Sequence, residues 1–441
     1  MNQKTLIIGA GISGLTAALF LAQQQREPIE LWEAAPKPGG LLRPVSFRGN
    51  HFDLGSHRVH PEAVNGLSAL GALWQTRPRR GALVLQQRHI QYPPSLFGFL
   101  RGLGAEKSLR FGLSFLTQRT SLQKYQTWER DRADLSQHDL GFAAFVKERA
   151  GHEAYEAFYR PYAEKVFGVD ADQLSQSVAK KRVSTEAPLS SLLSSFFAPT
   201  KTFLYPEGGI ASLIERLLSR LKDLGVEVQY NRALTREEIP ELSQYKRVLY
   251  AGYPHLLVPE SRLSYRGLYL LYLSFPVARV SEVDTFYVPE RDYCFGRVSE
   301  PQNFSSSYQE TQETTLCVEI PQAQFGASHD FIKDLDAVMR QLHHAKIVPK
   351  GLFPTEAKQV FLPKVYPLYL RGWPEVWRET MNQLCDLKNL FPFGRQGLFL
   401  HCNIDHCVQI SRDLIQHLEQ QKSPAEWVAY ASRYLDVRVR D

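Results

Sequence analysis

The chain has 441 residues, with 52 Lys plus Arg against 46 Asp plus Glu and a formal charge of +6. Apolar residues make up 44% and charged residues 22%, a globular composition that excludes a collagen, a coiled coil or a disordered tail; the length predicts two or three domains. The basic residues are scattered apart from short clusters at Arg77, Arg79, Arg80 and at Lys180, Lys181, Arg182, so the dense basic face of a nucleic-acid binder is not expected. No apolar stretch approaches the ~18 residues of a membrane span, and Met1 to Lys4 open into a strand without a basic leader, which predicts a cytoplasmic chain. The five cysteines, Cys294, Cys317, Cys385, Cys402 and Cys407, contain no CxxC pair, so neither a disulfide framework nor a zinc site is expected.

Thr5 to Ile8 reads as a short buried parallel strand that runs into Gly9, Ala10, Gly11, Ile12, Ser13, Gly14 and then the helical stretch Leu15 to Gln24. This is GxGxxG in the strand, turn and helix setting that the motif requires. Gly9 allows the tight turn, Gly11 lets backbone approach a pyrophosphate, and Gly14 lets helix and strand pack closely. The unpaired N–H groups at the helix start, around Ile12 and Ser13, attract phosphate. A second apolar strand, Ile29 to Trp32, ends in Glu33, near the position of a carboxylate that binds ribose hydroxyls. An acid there argues against a phosphorylated ribose. A glycine-rich turn without a ligand would leave this ordered succession unexplained, but the motif alone does not separate NAD from FAD.

Gly39, Gly40, Leu41, Leu42 and Arg43 come next, followed by Phe52, Asp53, Leu54, Gly55, Ser56, His57, Arg58, Val59 and His60. The order of Glu, GGxxR and FDxGxHxxH resembles the flavoproteins of the amine oxidase, protoporphyrinogen oxidase and UDP-galactopyranose mutase superfamily. The resemblance implies FAD rather than NAD. It puts Gly40, Leu41 and Arg43 in the cofactor site, Arg43 at the phosphates, and Gly55, Ser56 and His57 beside the isoalloxazine. On residue type alone, His57 and His60 read equally as surface loop residues. No motif for covalent flavin attachment is recognisable, so noncovalent FAD is expected.

Three later stretches extend the resemblance. Phe158 to Gly168, followed by Leu174 and Ser175, is similar to the PYxEKVWG segment on a substrate-domain helix. It makes Lys165 a candidate for a substrate or flavin-edge contact; the other reading is a solvated helix lysine paired with Glu164 or Asp170. Tyr205, Pro206, Glu207, Gly208, Gly209, Ile210 and Leu213 resemble the YPxGGMxxL turn that returns the chain to the FAD domain. Strands at Val226 to Gln229 and Val248 to Ala251 would then back the adenosine, with backbone contact at Val228. Tyr366, Pro367, Tyr369 and Gly372 precede the run Gly394 to His406, which resembles GRxGxYRYxxMD of mutase-like flavoproteins. The match implies Arg395 at the phosphates or ribityl chain and Asn403, Ile404 and Asp405 along the ribityl and ring. A helix opening there aims its positive dipole end at the flavin. Asn403 to Asp405 also suits an N-cap for a helix starting near His406, and both roles can hold together. This sequence departs from the pattern at Phe399, Leu400 and His401, where YRY is usual. Cys402, Cys407 and Ser411 replace small or glycine residues, and Ser56 replaces glycine or proline. These departures bear on substrate-side chemistry more than on FAD binding.

The expected fold class is α/β: a Rossmann-like FAD-binding domain of the GR2 type with an inserted α+β substrate domain. The cofactor domain is expected from residues 1–65, 200–265 and 355–441, and the cap from 66–199 and 266–354. Apolar residues at helical spacing in Leu96 to Leu116 and Phe142 to Phe158 predict a mostly helical first insert. The second insert predicts strands at Leu268 to Phe275 and Thr315 to Glu319, then an amphipathic helix around Phe331 to His343. Leu96 to Leu116 mixes apolar and basic residues as a peripheral membrane helix does, whereas Gly102 and Gly104 favour helices packed into the cap.

A flavin accepts a hydride or two electrons at N5. The first functional expectation is therefore an oxidoreductase acting on a small molecule: an amine, a ring system or an alkyl chain. The second is a mutase-like isomerase that uses reduced FAD on a sugar carbon without net redox change, toward which HxxH and GRxG lean. It needs arginines to grip a diphosphate, with Arg160, Arg182 and Arg291 as candidates. The third is a flavin-binding protein without turnover. Imidazole titrates near neutrality, so His57, His60, His401 and His406 are general-base candidates; His57, His60 and Lys165 are the catalytic candidates carried forward.

Overall fold

The protein is described from a computed structural model, which covers residues 4–24, 27–67, 70, 74–92, 139–181, 202–305 and 312–439. Thr5–Ile8 is buried at every position because it lies at the centre of a five-stranded parallel sheet. The order is Leu390–Pro392, Arg247–Tyr250, Thr5–Ile8, Ile29–Trp32, Val228–Gln229, so strands from both ends of the chain meet in one layer. Helix Ile12–Gln23 starts directly at the turn, earlier than its apolar spacing suggests, and is buried almost all round. It packs against helices Gly209–Asp223 and Ile404–Glu419. Ser411 explains how helix Ile404–Glu419 comes so close: its hydroxyl lies 3.0 Å from both Thr16 Oγ1 and the Ser13 carbonyl.

A seven-stranded sheet forms the second layer, in the order Glu356–Pro367, Tyr265–Phe275, Thr314–Pro321, Arg297–Ser299, Thr285–Tyr287, Gly81–Leu85, Arg88–Tyr92. Its pairs are antiparallel except Thr285–Tyr287 with Gly81–Leu85. Successive side chains of a strand point to opposite faces, and both faces are covered here. Tyr269, Leu271, Leu273 and Phe275 pack on Val338, Met339 and Leu342 of helix Leu335–His344. Leu268, Leu270 and Tyr272 pack on Val45, Phe47, Phe52 and Leu54. That double coverage is why this strand reads as an unbroken apolar run.

Several elements differ from the sequence expectation. The helix expected from Phe331 begins at Leu335, because Phe331 reaches the core from the preceding turn, with its ring 5.2 Å from that of Tyr269. Helix Phe142–Ala150 stops at Gly151, with φ +86°, and a π-helical turn follows at Tyr155–Tyr159. The insert expected to be mostly helical also supplies strands Trp74–Pro78, Gly81–Leu85 and Arg88–Tyr92. The last two are joined at Gln86 and Gln87, both with positive φ, a tight hairpin without the usual Asn-Gly signal. Strand Glu356–Pro367, assigned from sequence to the cofactor domain, pairs instead along Tyr265–Phe275. The stretch Leu96 to Leu116 and Arg182 lie outside the described residues. No helix among the described residues is long and apolar enough to cross a membrane.

Candidate functional site

A cleft of about 820 Å³ opens at the carboxyl ends of the parallel strands and is closed from the other side by the seven-stranded sheet. Gly9, at φ +101°, turns the chain out of the first strand and donates to the Trp32 carbonyl at 2.8 Å. Gly39 donates to the Ala10 carbonyl at 2.8 Å, which brings Gly11 beside Gly39 in a parallel bridge. A Cβ on Gly40 would sit 3.3 Å from Gly11 Cα, and one on Gly14 only 1.8 Å from the Gly9 carbonyl oxygen. These positions therefore present bare backbone. Gly11 is the N-cap of helix Ile12–Gln23 and supplies no side-chain cap, which leaves the first helical N–H groups for an anion. Glu33 is held in place at the wall: its Oε2 accepts from Ala10 N at 2.8 Å and its Oε1 from Ala35 N at 2.9 Å.

Arginines line the middle of the cleft. Arg43 and Arg395 both face it. Arg395 Nη2 donates to the Val365 carbonyl at 2.9 Å and Nη1 to the Cys402 carbonyl, while its buried Nε has no partner among the described residues. From the floor, Arg297 forms a buried fork on Glu319, Nε to Oε1 at 2.8 Å and Nη2 to Oε2 at 2.7 Å. The same carboxylate accepts from Ser56 N at 3.3 Å. Gly55 has φ +80°, and a Cβ there would press on Glu319 Oε1 at 3.1 Å. Gly55 thus serves behind the wall, and Ser56 and His57 form it.

His57 Nδ1 lies 3.9 Å from Asp53 Oδ2 and makes no hydrogen bond among the described residues. Burial, reinforced by the Arg297 and Arg395 charges, pushes its pKa down to about 3, so the ring is neutral near pH 7. Asp53 is pushed the other way, up to about 7, by burial. It accepts from Tyr205 OH at 2.6 Å, a bond that joins the FDLGSH segment to the YPEGG turn.

Of the residues singled out from sequence, the cleft gathers Gly9, Gly11, Ile12, Ser13, Gly14, Glu33, Gly40, Leu41, Arg43, Ser56, His57, Arg395, Asn403 and Ile404. Asn403 also caps helix Ile404–Glu419, with its N–H on His406 Nδ1 at 3.2 Å. Gly55, His60, Lys165, Val228 and Asp405 stand off the wall. Val228 pairs with Leu31 in the sheet, and the chain lines the cleft slightly later, at Arg232 to Leu234. His60 opens helix Pro61–Leu67, its carbonyl accepting from Ala63 N at 3.0 Å. Lys165 is 1% exposed and its Nζ donates to the carbonyls of Val288 at 2.9 Å, Phe295 at 3.0 Å and Glu290. Burial pushes it down to about 7. This lysine clamps helix Arg160–Phe167 to the loop between strands Thr285–Tyr287 and Arg297–Ser299 of the second sheet. Arg297 of the cleft wall sits in no motif, and Arg58 occupies an unspecified position of FDxGxHxxH, so the sequence assigns neither a role. The one available signal was a charge, Glu319, inside an apolar strand.

A family model described as an NAD(P)-binding Rossmann-like domain matches residues 7–77, and one described as UDP-galactopyranose mutase matches residues 157–333. The solved structure of reduced UDP-galactopyranose mutase aligns over 100% of this chain and 98% of its own, with a TM-score of 0.79 at 17% identity. Cyclohexylamine oxidase from Brevibacterium oxydans aligns over 95% of this chain and 100% of its own, with a TM-score of 0.65 at 15% identity. The chain carries the fold shared by this mutase and this amine oxidase. The α/β class read from the sequence, a Rossmann-like cofactor domain with an inserted α+β part, is that fold. Coproporphyrinogen III oxidase from Staphylococcus aureus is 26% identical over 284 residues, which cover 56% of this chain and 57% of that one. The match therefore spans little more than half of that relative's length.

Proposed function

We propose that this chain is an FAD-dependent oxidoreductase that removes two electrons from a small organic substrate, with FAD held noncovalently. The observation that carries this reading is the single cleft joining the bare-backbone cradle and Glu33 to the unpartnered Arg395 Nε. An NAD(P) site would need only the glycines and the acid. Here the polar lining continues to Arg395 and His57 against the second sheet. In this reading Gly11, Ser13 and Arg43 hold the phosphates and Glu33 the ribose hydroxyls. Arg395 and the start of helix Ile404–Glu419 hold the flavin end. Residues 1–65, 200–265 and 355–441 would contain the cofactor, with strand Glu356–Pro367 built into the floor beneath the substrate.

Bound FAD supplies an acceptor for a hydride or an electron pair. The chain's own residues orient it and set the field. Arg395, whose guanidinium meets only the carbonyls of Val365 and Cys402 among the described residues, keeps the flavin end of the cleft positive, which favours an electron-rich reduced cofactor, whereas the Arg297 charge is balanced by Glu319. His57, neutral near pH 7, shapes the wall without taking a proton there. Leu268 and Leu362 exclude water from the floor.

A second reading, a mutase-like isomerase, is supported by the family match over residues 157–333 and by the likeness to the mutase structure. The ion pairs count against it. Arg160 Nε binds Glu164 Oε1 at 3.0 Å and Arg291 pairs with the same carboxylate, so two of the three arginines considered for a diphosphate are already engaged. The test starts with the visible spectrum of the purified protein and heat release of its chromophore. FAD at about one per chain is expected, and a colourless protein that cannot be reconstituted overturns the proposal. Dithionite-reduced enzyme is then given UDP-galactopyranose: isomerisation supports the mutase reading. No isomerisation, with turnover of an amine or reduced ring substrate, supports the oxidoreductase.

A further inference from the structure

Cys402 and Cys407 flank the start of the sixteen-residue helix Ile404–Glu419, one just before the N-cap Asn403 and the other at the end of the first turn. Both are 3% exposed and both line the cofactor cleft. Their sulfurs are 3.7 Å apart. A disulfide requires about 2.0 Å, so the thiols are in contact but not bonded.

The surroundings are those of reactive thiols, which occur at helix N-termini and beside cations. The Arg395 guanidinium binds the Cys402 carbonyl, and Lys181 adds a second nearby charge. The hydrogen bond from Cys402, then the Ser13 hydroxyl and Arg395, hold the Cys407 thiol below the usual range, while the same thiol–thiol bond and burial hold Cys402 above it. The other three cysteines differ: burial pushes Cys294 up to about 12, Cys385 up to about 11, and Cys317 higher still.

We propose that Cys402 and Cys407 are a redox-active dithiol, oxidised reversibly to an intrachain disulfide by a small-molecule disulfide that enters the cleft. The Cys407 thiolate attacks one sulfur of the external disulfide and expels the other as a thiolate. The Cys402 sulfur, losing its proton, then attacks Cys407 Sγ and expels the second thiolate. Two protein thiols lose two electrons and two protons, and the external disulfide leaves as two thiols; an added dithiol drives the reverse exchange. Ser13 belongs to the phosphate loop, and Arg395, which follows the Gly394 packed against Ser13, reaches across to the Val365 carbonyl of the seven-stranded sheet, so closing the bond acts on the loop and on the arginine that spans the cleft. The inference concerns the chain's own thiols and stands apart from the identity of the cofactor.

The test uses the full-length protein, with its cofactor and stripped of it. It is reduced, freed of reductant, exposed to cystamine, then denatured and alkylated with N-ethylmaleimide. Digestion is expected to give a Cys402 to Cys407 linkage two hydrogens lighter than the reduced pair, without maleimide or cysteamine. Cys294, Cys317 and Cys385 stay alkylated, and dithiothreitol restores both missing labels. Cys402→Ser is expected to trap a cysteamine adduct on Cys407, and Cys385→Ser to leave the linkage unchanged. The bond in either form of the protein supports the proposal. Full alkylation of both residues in both forms, a bond to another cysteine, or a stable cysteamine adduct on the native pair overturns it.

Discussion

Across the cleft, the five-stranded sheet presents bare backbone where the seven-stranded sheet presents paired charges. On the first side Gly9, Gly11, Gly14 and Gly40 clear space and the helix end supplies N–H donors. On the second, Arg297 is matched to Glu319, and Arg58 to Asp284 at 2.8 Å with both side chains almost fully buried. One wall is made by what side chains leave out. The other is made by charges that tolerate burial only because they are paired. The two walls should therefore fail in different ways when each is broken.

The largest effect is expected from Gly14→Ala, since the new Cβ would lie 1.8 Å from a backbone oxygen that cannot move alone. Flavin absorbance per chain should fall close to zero and the loss of stability should exceed about 4 kcal/mol; a variant with normal flavin content would place the cofactor elsewhere. Glu319→Ala should cost about 3–5 kcal/mol by stranding Arg297. Its flavin content after purification should nevertheless stay near that of the native protein. The double replacement Arg297→Met, Glu319→Leu should recover most of that stability in a denaturant titration. If it does not, the pair contributes more than mutual neutralisation.

How legible each wall is in the sequence follows from the same contrast. Bare backbone at a phosphate site needs glycines at fixed short spacing, so GxGxxG, GGxxR and the acid at Glu33 stand out in a single chain. The charge pairs join residues 22 and 226 positions apart, and no local pattern announces them. Lys165 shows a second limit. A lysine on an amphipathic helix reads as solvated or as ligand-facing, yet this one reaches three carbonyls of the loop joining strands Thr285–Tyr287 and Arg297–Ser299. The hairpin at Gln86 and Gln87 escapes notice because tertiary pairing imposes positive φ on residues that do not advertise it. The C-x4-C spacing of Cys402 and Cys407 carries meaning only once the helix start folds one thiol over the other.

Arg43→Ala tests the cofactor wall more gently. Arg43 lines the cleft, and loss of a charged hydrogen bond to phosphate is worth about 1.5–3 kcal/mol. The FAD dissociation constant should rise about 10- to 100-fold, while the melting temperature of the stripped protein stays within about 2 °C of the native value. An unchanged affinity would remove Arg43 from the phosphate site.

The smallest effect belongs to the seam between the walls, at Asp53. Its carboxyl is pushed by burial from an ordinary 3.8 up to about 7, so between those values the folded chain holds a proton that the unfolded chain has released. On this account stability is complete below the ordinary value and is lost as pH rises through the raised one. His57 acts in the opposite sense at lower pH, since burial lowers it to about 3, but that contribution is common to native protein and to Asp53→Asn. The difference between the two therefore isolates Asp53. From pH 6 to pH 8 the native protein should lose about 1.4 kcal/mol relative to the variant, read from paired denaturant titrations. Parallel pH profiles would mean that Asp53 is already ionised at pH 6. The Tyr205 hydroxyl and the Ile210 N–H, which both favour the carboxylate, would then outweigh burial, and the seam would belong with the charged wall rather than stand neutral between the two.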